Sequence, residues 1–350
     1  MIFIINIVSI IIAIVLFGIL VFIHELGHFI AAIKCGITVK EFSIGMGPAI
    51  LKHERNGILY SIRALPIGGF CDMEGENDDG NNEGSFNSKP IWQRMIVVLA
   101  GVAMNLLLGF VLMIMIISSQ EKMASTTIDK FLKEDATSKT TGLMENDRFA
   151  SIDGYKILVD NDIIFAISTN KGPYDIEVYR NNSKVMLKNV EFETKDNEIL
   201  IDFRVKPIEK NPITILDQAL KKTMSDIKVV WYSLFGMISG KLNMSDMSGP
   251  VGIVSIVGSA VNEGLKENIY QGARNVISLM IILTINLGVL NLLPVPALDG
   301  GRFIFLIIEA IRKKPINRKC EMIINTIGFA LFLLLMVFIT FSDIMKLFNK

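Results

Sequence analysis

Cysteine is scarce in this chain, with three among 350 residues. Cys35, Cys71 and Cys320 form no CxxC pair and none lies between Gln120 and Arg274, so no disulfide framework or cysteine-built metal site is expected. Net charge is absent as well. The 35 Lys and Arg balance 35 Asp and Glu, and no basic cluster is interleaved with aromatics, so no nucleic-acid partner is expected. The hydropathy has no internal repeat, which argues against a transporter. No Lys or Arg precedes the first apolar run and no small-x-small site follows Ile23, so that run reads as a retained span rather than a signal peptide.

Apolar residues are what the chain has in excess. At 51% hydrophobic and a mean hydropathy of +0.47, it is too apolar for an ordinary soluble protein and long enough for a membrane bundle with a soluble module. Four runs approach spanning length: Ile2 to Ile33, Met95 to Ile117, Val276 to Leu293 and Met322 to Phe341, while Phe303 to Ile311 is too short. Lys34, Lys40, Lys52, Arg55, Arg63, Lys89 and Arg94 follow the first span, and Arg302, Arg312, Lys313, Lys314, Arg318 and Lys319 follow the third. The excess of positive charge places both loops in the cytoplasm. The amino terminus and the segment from Gln120 to Arg274 then lie outside, and all three cysteines lie inside.

Within the first run stand His24-Glu25-Leu26-Gly27-His28. Two imidazoles four residues apart share a helix face, and the adjacent glutamate can reach a water held at a metal between them. His24 is ten residues from Lys34, roughly 15 Å along a helix, near the middle of a hydrocarbon core about 30 Å thick. Ionisable groups at that depth cost at least about 2.5 kcal/mol on insertion scales, so a bundle interior or aqueous cavity must receive them. Taken alone, the pentapeptide could also be a coincidence in a buried soluble helix. A catalytic zinc takes three protein ligands and keeps one position for water. The best candidate for the third is Asp299, in Asn291-Leu292-Leu293-Pro294-Val295-Pro296-Ala297-Leu298-Asp299-Gly300-Gly301, where two prolines and two glycines should unwind the third span. Such backbone is tolerated at depth only where it is buried in protein or lines a water-filled cavity. By itself Asp299 reads first as an N-cap for Phe303 to Ile311; beside a metal site that lacks one carboxylate it reads as the ligand.

Together, His24-Glu25-Leu26-Gly27-His28 and Asn291-x-x-Pro294-x-Pro296-x-Leu298-Asp299-Gly300 resemble the site-2 protease family of intramembrane zinc metalloproteases. Phe86-Asn87-x-Lys89-Pro90-x-Trp92-Gln93-Arg94, the stretch from Ala100-Gly101 to Asn105, and Ser248-Gly249-Pro250-Val251-Gly252-Ile253 resemble its bacterial type, the regulator of sigma-E protease. Val102 departs from that pattern, which has proline there. The resemblance implies Zn2+ held by His24, His28 and Asp299, with Glu25 as the catalytic base. For the substrate it implies contacts at Asn291 and Asn286 and at Pro294 and Pro296. The implied partners are the lipid bilayer and single-pass transmembrane proteins, such as anti-sigma factors or signal peptide remnants. The implied location is the bacterial cell membrane, with the active site toward the cytoplasm.

The segment Thr38 to Phe70 alternates in strand fashion between glycines, and the resemblance implies a membrane-associated β-hairpin. A free edge along Ile58 to Ile62 could pair with unwound substrate, or the hairpin could serve stability alone. Glu74 to Gly84 reads as a solvated loop. From Gly142 through Asp153-Gly154 to Ile157 the sequence resembles a PDZ domain, in which an Asp-Gly turn links two strands. The alternative is a β-domain that binds no ligand. Ile213 to Gly240, apolar but broken by Asp217, Lys221, Lys222, Asp226 and Lys228, reads as an amphipathic surface helix. His53 falls in the polar part of the cytoplasmic loop and reads as exposed.

The expected fold is an α-helical polytopic membrane protein with four transmembrane helices, a β-hairpin and an inserted extracytoplasmic PDZ-like α+β domain. Residues 1–121 form the first part of the protease core and 122–207 the PDZ-like domain. Residues 208–272 form the surface helix and a linker, and 273–350 the second part of the core. The expected function is zinc-dependent cleavage of transmembrane segments; the rival is a non-catalytic PDZ-containing scaffold with a structural metal.

Overall fold

A computed structural model describes residues 7–76, 82–169, 172–195, 198–240 and 249–348. Ser248, the middle of the acidic loop and the first residues of the first apolar run lie outside these. The chain divides into two compact units, one made of the chain up to Leu112 and from Val229 on, the other of Met113–Lys228.

In the first unit, helix α1 (Ile7–Lys34) leads into a hairpin of β1 (Val39–Arg55) and β2 (Ile58–Met73). A short 3-10 turn over Phe86–Ser88 then introduces α2 (Ile91–Ser119). Four helices are long and apolar enough to cross a membrane: Ile10–Lys34, Ile91–Ser119, Ile269–Asn291 and Lys319–Lys346. Each keeps its backbone bonded internally, as hydrocarbon requires.

The hairpin is more than two straight strands. Glu41 to Ile44 pair on one side with Asp72 to Gly69 and on the other with Leu59 to Ile62, and Ile62 to Ile58 pair again with Leu51 to Arg55. The doubling depends on bends at Gly45, Gly47 and Gly68, all at positive φ, where side chains other than glycine are strained. Among the described residues the free edges are therefore Gly69 to Met73 and Leu51 to Arg55. Of Ile58 to Ile62, expected to offer an edge, Leu59 to Ile62 are paired on both sides and cannot accept a further strand.

The second unit is the PDZ-like α+β domain. Its strands are β3 (Met123–Phe131), β4 (Arg148–Ile152), β5 (Tyr155–Lys156), β6 (Tyr174–Arg180), β7 (Ser183–Val190), β8 (Glu193–Lys195), β9 (Glu198–Leu200) and β10 (Phe203–Ile208), with helices α3 (Thr137–Thr140) and α4 (Asp160–Thr169). The main sheet runs β10-β3-β4-β6-β7, and β5 pairs with β4. Asp153 and Gly154 both take positive φ and join Ile152 to its partner Tyr155, as a two-residue primed turn demands. Ile128, Leu143, Ile152, Ile176 and Val178 are fully buried, one face of the sheet being closed against the core.

Helix α5 (Pro212–Ile238) follows the domain. The stretch expected as surface helix and linker holds a second helix, α6 (Pro250–Glu267), before α7 (Ile269–Asn291). Val257 and Val261 of α6 pack on Ala13 and Leu16 of α1. Then come α8 (Asp299–Arg312) and α9 (Arg318–Phe348). Buried Asp343 of α9 accepts a hydrogen bond from the Gly252 amide at 2.8 Å, satisfying one of the amides a helix start leaves open.

Candidate metal centre

The helical period sets His24 and His28 on one face of α1, each only 8% exposed. Their Nε2 atoms are 3.3 Å apart. Between α7 and α8 the chain is non-helical from 292 to 298, because Pro294 and Pro296 cannot continue the hydrogen-bond ladder. Ala297 is held at φ 74° there, and Gly300 lies so close to the Leu292 and Leu293 carbonyls that a Cβ would overlap them. The tight reversal delivers Asp299 as the first residue of α8. It does not cap that helix; the N-cap position is Leu298, without a side-chain bond.

Asp299 Oδ2 lies 3.1 Å from His24 Nε2 and 3.3 Å from His28 Nε2. This oxygen is buried and makes no hydrogen bond among the described residues. Atoms about 2.0–2.1 Å from a tetrahedral ion stand about 3.3 Å from one another, and the three sides of this triangle have that length. The trio fits a zinc ion. No fourth His, Cys, Asp or Glu joins the group among the described residues, so a position would remain for water, unlike a closed structural site.

The outward ring nitrogens meet α2. His28 Nδ1 is 2.8 Å from the Val97 carbonyl, and His24 Nδ1 is 3.1 Å from the side-chain amide of Asn105. Asn105 is fully buried and its Oδ1 has no partner among the described residues, a penalty of about 1–3 kcal/mol for an unsatisfied group. Between these contacts, Gly101 leaves no room for a side chain beside either imidazole. Val97, Gly101 and Asn105 had no assigned role from the sequence. Their spacing of four was the available signal, since it puts a glycine and an asparagine on one face of an apolar run.

Glu25 faces β2, where the Cys71 backbone amide donates to its carboxylate. A Cβ on neighbouring Gly69 would press on the Glu25 side chain at 3.3 Å. His24, Glu25, His28 and Asp299 all line one cavity of about 1660 Å³, which Phe70, Cys71 and Arg302 also border. Asn286, Asn291, Pro294 and Pro296 are not on its wall. Asn286 and Asn291 are half-buried on α7, and Pro296 packs against Gly328 of α9. His53, in the hairpin, is exposed.

Four helices of spanning character, a three-donor metal group and a glutamate beside it describe a membrane-embedded metalloprotease. The family model for peptidase family M50 matches residues 12–335. The chain belongs to that family and is an intramembrane zinc metalloprotease. Among its relatives is the regulator of sigma-W protease RasP of Bacillus subtilis, 30% identical over 420 aligned positions that cover 96% of this chain and 98% of that one. The zinc metalloprotease RasP of Geobacillus kaustophilus is also 30% identical, over 97% and 98% of the two chains. A Clostridium acetobutylicum protein is 35% identical over 346 positions, 97% and 98% of the two chains.

Proposed function

We propose that His24, His28 and Asp299 hold the zinc ion and that Glu25 is the general base in cleavage of a peptide bond within a substrate's transmembrane segment. The observation that carries this reading is the triangle of three buried donor atoms at 3.1, 3.3 and 3.3 Å, one residue from Glu25 in the sequence and on the wall of the same cavity. Zinc bound there supplies Lewis acidity and draws the pKa of a bound water toward about 7. Glu25 takes a proton from the attacking water and returns it to the leaving amine. The Cys71 amide donates to its carboxylate and so orients it on the cavity wall.

The substrate class is single-pass membrane proteins, such as anti-sigma factors or signal peptide remnants. The name of the Bacillus relative, regulator of sigma-W protease, supports the former. The basic loops after the first and third spans favour a cytoplasmic opening for the cavity, with the PDZ-like domain, 122–207, outside. Substrate pairs as an added strand with the free edge Gly69 to Met73, the part of the hairpin that borders the cavity. The family resemblance further assigns substrate contacts to Asn286, Asn291, Pro294 and Pro296, which would meet the substrate outside the cavity wall.

The test pairs the purified protein with its Glu25→Gln variant, measuring bound zinc and cleavage of a model single-span substrate in the same samples. Equal zinc with cleavage by the unaltered protein alone is expected; cleavage by the variant would overturn the role of Glu25. A photo-crosslinking residue at Phe70 should capture the substrate and one at Tyr60 should not. Capture from Tyr60 but not Phe70 would move the docking edge elsewhere.

A further inference from the structure

We infer that Asn105 is a positioning residue for the metal centre: its side-chain carbonyl accepts the proton on His24 Nδ1 and thereby fixes the tautomer that leaves Nε2 free to bind zinc. The inference rests on the reading of His24 as a metal ligand. Both Nε2 atoms turn toward Asp299, so in a ligating neutral imidazole the ring proton belongs on Nδ1, and each Nδ1 needs an acceptor. For His28 that acceptor is the Val97 carbonyl, 2.8 Å away. For His24 the group in reach is the Asn105 amide, 3.1 Å away.

The end of that amide facing the ring is an assignment rather than a property of the fold, because the oxygen and nitrogen have nearly the same shape. In the orientation with Nδ2 toward His24, the amide donates to Nδ1 and the ring proton moves to Nε2, where it opposes a metal. With Oδ1 toward the ring, the direction of the bond suits a ligand. An asparagine serving helix packing alone would be satisfied by neighbouring helices, yet one end of this amide has no partner among the described residues. The packing role falls to the backbone instead: the Asn105 carbonyl accepts from Thr284 Oγ1 of α7 at 3.0 Å. The side chain is thus left free to serve His24.

The experiment compares the full-length protein with Asn105→Leu, Asn105→Asp and His24→Ala. It measures zinc affinity by chelator competition and the unfolding temperature of each zinc-free form. Loss of an outer hydrogen bond to a metal-bound histidine weakens binding by about 10–100-fold, which is the expectation for Asn105→Leu. Asn105→Asp keeps an acceptor and should bind zinc at least as tightly as the unaltered protein, while the zinc-free unfolding transition shows that each variant is folded. If the leucine variant fails to fold, Asn105→Ala is read in its place. Unchanged zinc affinity in the leucine or alanine variant, or equal weakening in the aspartate variant, would overturn the inference. Zinc retained by His24→Ala would instead overturn the ligand assignment on which it rests.

Discussion

Gly101 of α2 lies so close to His28 of α1 that a Cβ at position 101 would overlap the imidazole Nε2 and come within 2.7 Å of His24 Cε1. The two helices can bring Val97 and Asn105 to the ring nitrogens only because nothing stands between them at this point.

Gly101→Ala should therefore act on the metal site before it acts on the fold. Overpacking of a tight interior typically costs about 1–3 kcal/mol, and here the groups that must yield are the two imidazoles. Zinc occupancy at limiting metal should fall at least about tenfold, with smaller loss in helical content by circular dichroism. Normal occupancy in the purified alanine variant would show that the rings can relax without leaving their ligating positions.

Arg94, near the start of α2, forms two hydrogen bonds with Glu309 of α8, at 3.0 and 2.6 Å, and both side chains are largely buried, 9% and 16% exposed. The pair ties the helix that supports the histidines to the helix that begins with Asp299. Removing one partner of a buried ion pair leaves an uncompensated charge and costs about 3–5 kcal/mol. Arg94→Leu should destabilise by that order, and Arg94→Leu with Glu309→Leu should recover part of it. A double-mutant cycle on unfolding in detergent checks the coupling; additive losses would mean that the two groups act independently.

The sequence discloses those parts of the site that rest on local rules. The four-residue spacing of His24 and His28 is a helix face wherever the helix forms, and Pro294, Pro296 and Gly300 announce a break whatever surrounds it. Asp153-Gly154 likewise specifies its turn without tertiary help. Contacts between distant elements are not readable this way. Nothing in Asn105 alone says that it meets His24, and Gly101 reads as an ordinary small residue until α1 is packed against it. The doubled pairing of Glu41 to Ile44 depends on how far three glycines bend the strands. Helix α6 is similarly hidden, because its Gly- and Val-rich sequence favours a helix only once Val257 and Val261 have Ala13 and Leu16 to pack on.

In the PDZ-like unit, Asp162 has no exposed surface and gathers five donors. The Leu158 and Val159 amides, Tyr155 Oη and Ser225 Oγ bond it at 2.6–3.1 Å, and Lys228 Nζ is 2.9 Å away. Ser225 and Lys228 come from α5, so one carboxylate joins that helix to the start of α4. Asp162→Ala would leave two amides unpaired and take from Lys228 its counter-charge, leaving it the Lys156 carbonyl, and should destabilise this unit by about 3–5 kcal/mol. Ser225→Ala, which removes one donor, should cost about 1 kcal/mol. Proteolysis of the full-length protein across a urea series measures both, and a loss below about 1 kcal/mol for Asp162→Ala would show that the donors find water instead.

Asp226, on the same part of α5, gives this unit a pH dependence of opposite sign to the usual carboxylate. Burial is the main cause that pushes its carboxyl from the ordinary 3.8 up to about 6; nearby Asp162 adds to the rise and Lys222 opposes it. The folded state therefore binds more protons than the unfolded chain between those values, and stability falls as pH rises from about 4 to about 6. Two pH units at 1.36 kcal/mol each amount to as much as about 3 kcal/mol by pH 7. Asp226→Asn, which stays neutral, should stabilise the unit by up to that amount at pH 7 and by almost nothing at pH 4. Urea unfolding of the full-length protein at the two pH values separates this from a simple packing effect, which would give the same difference at both.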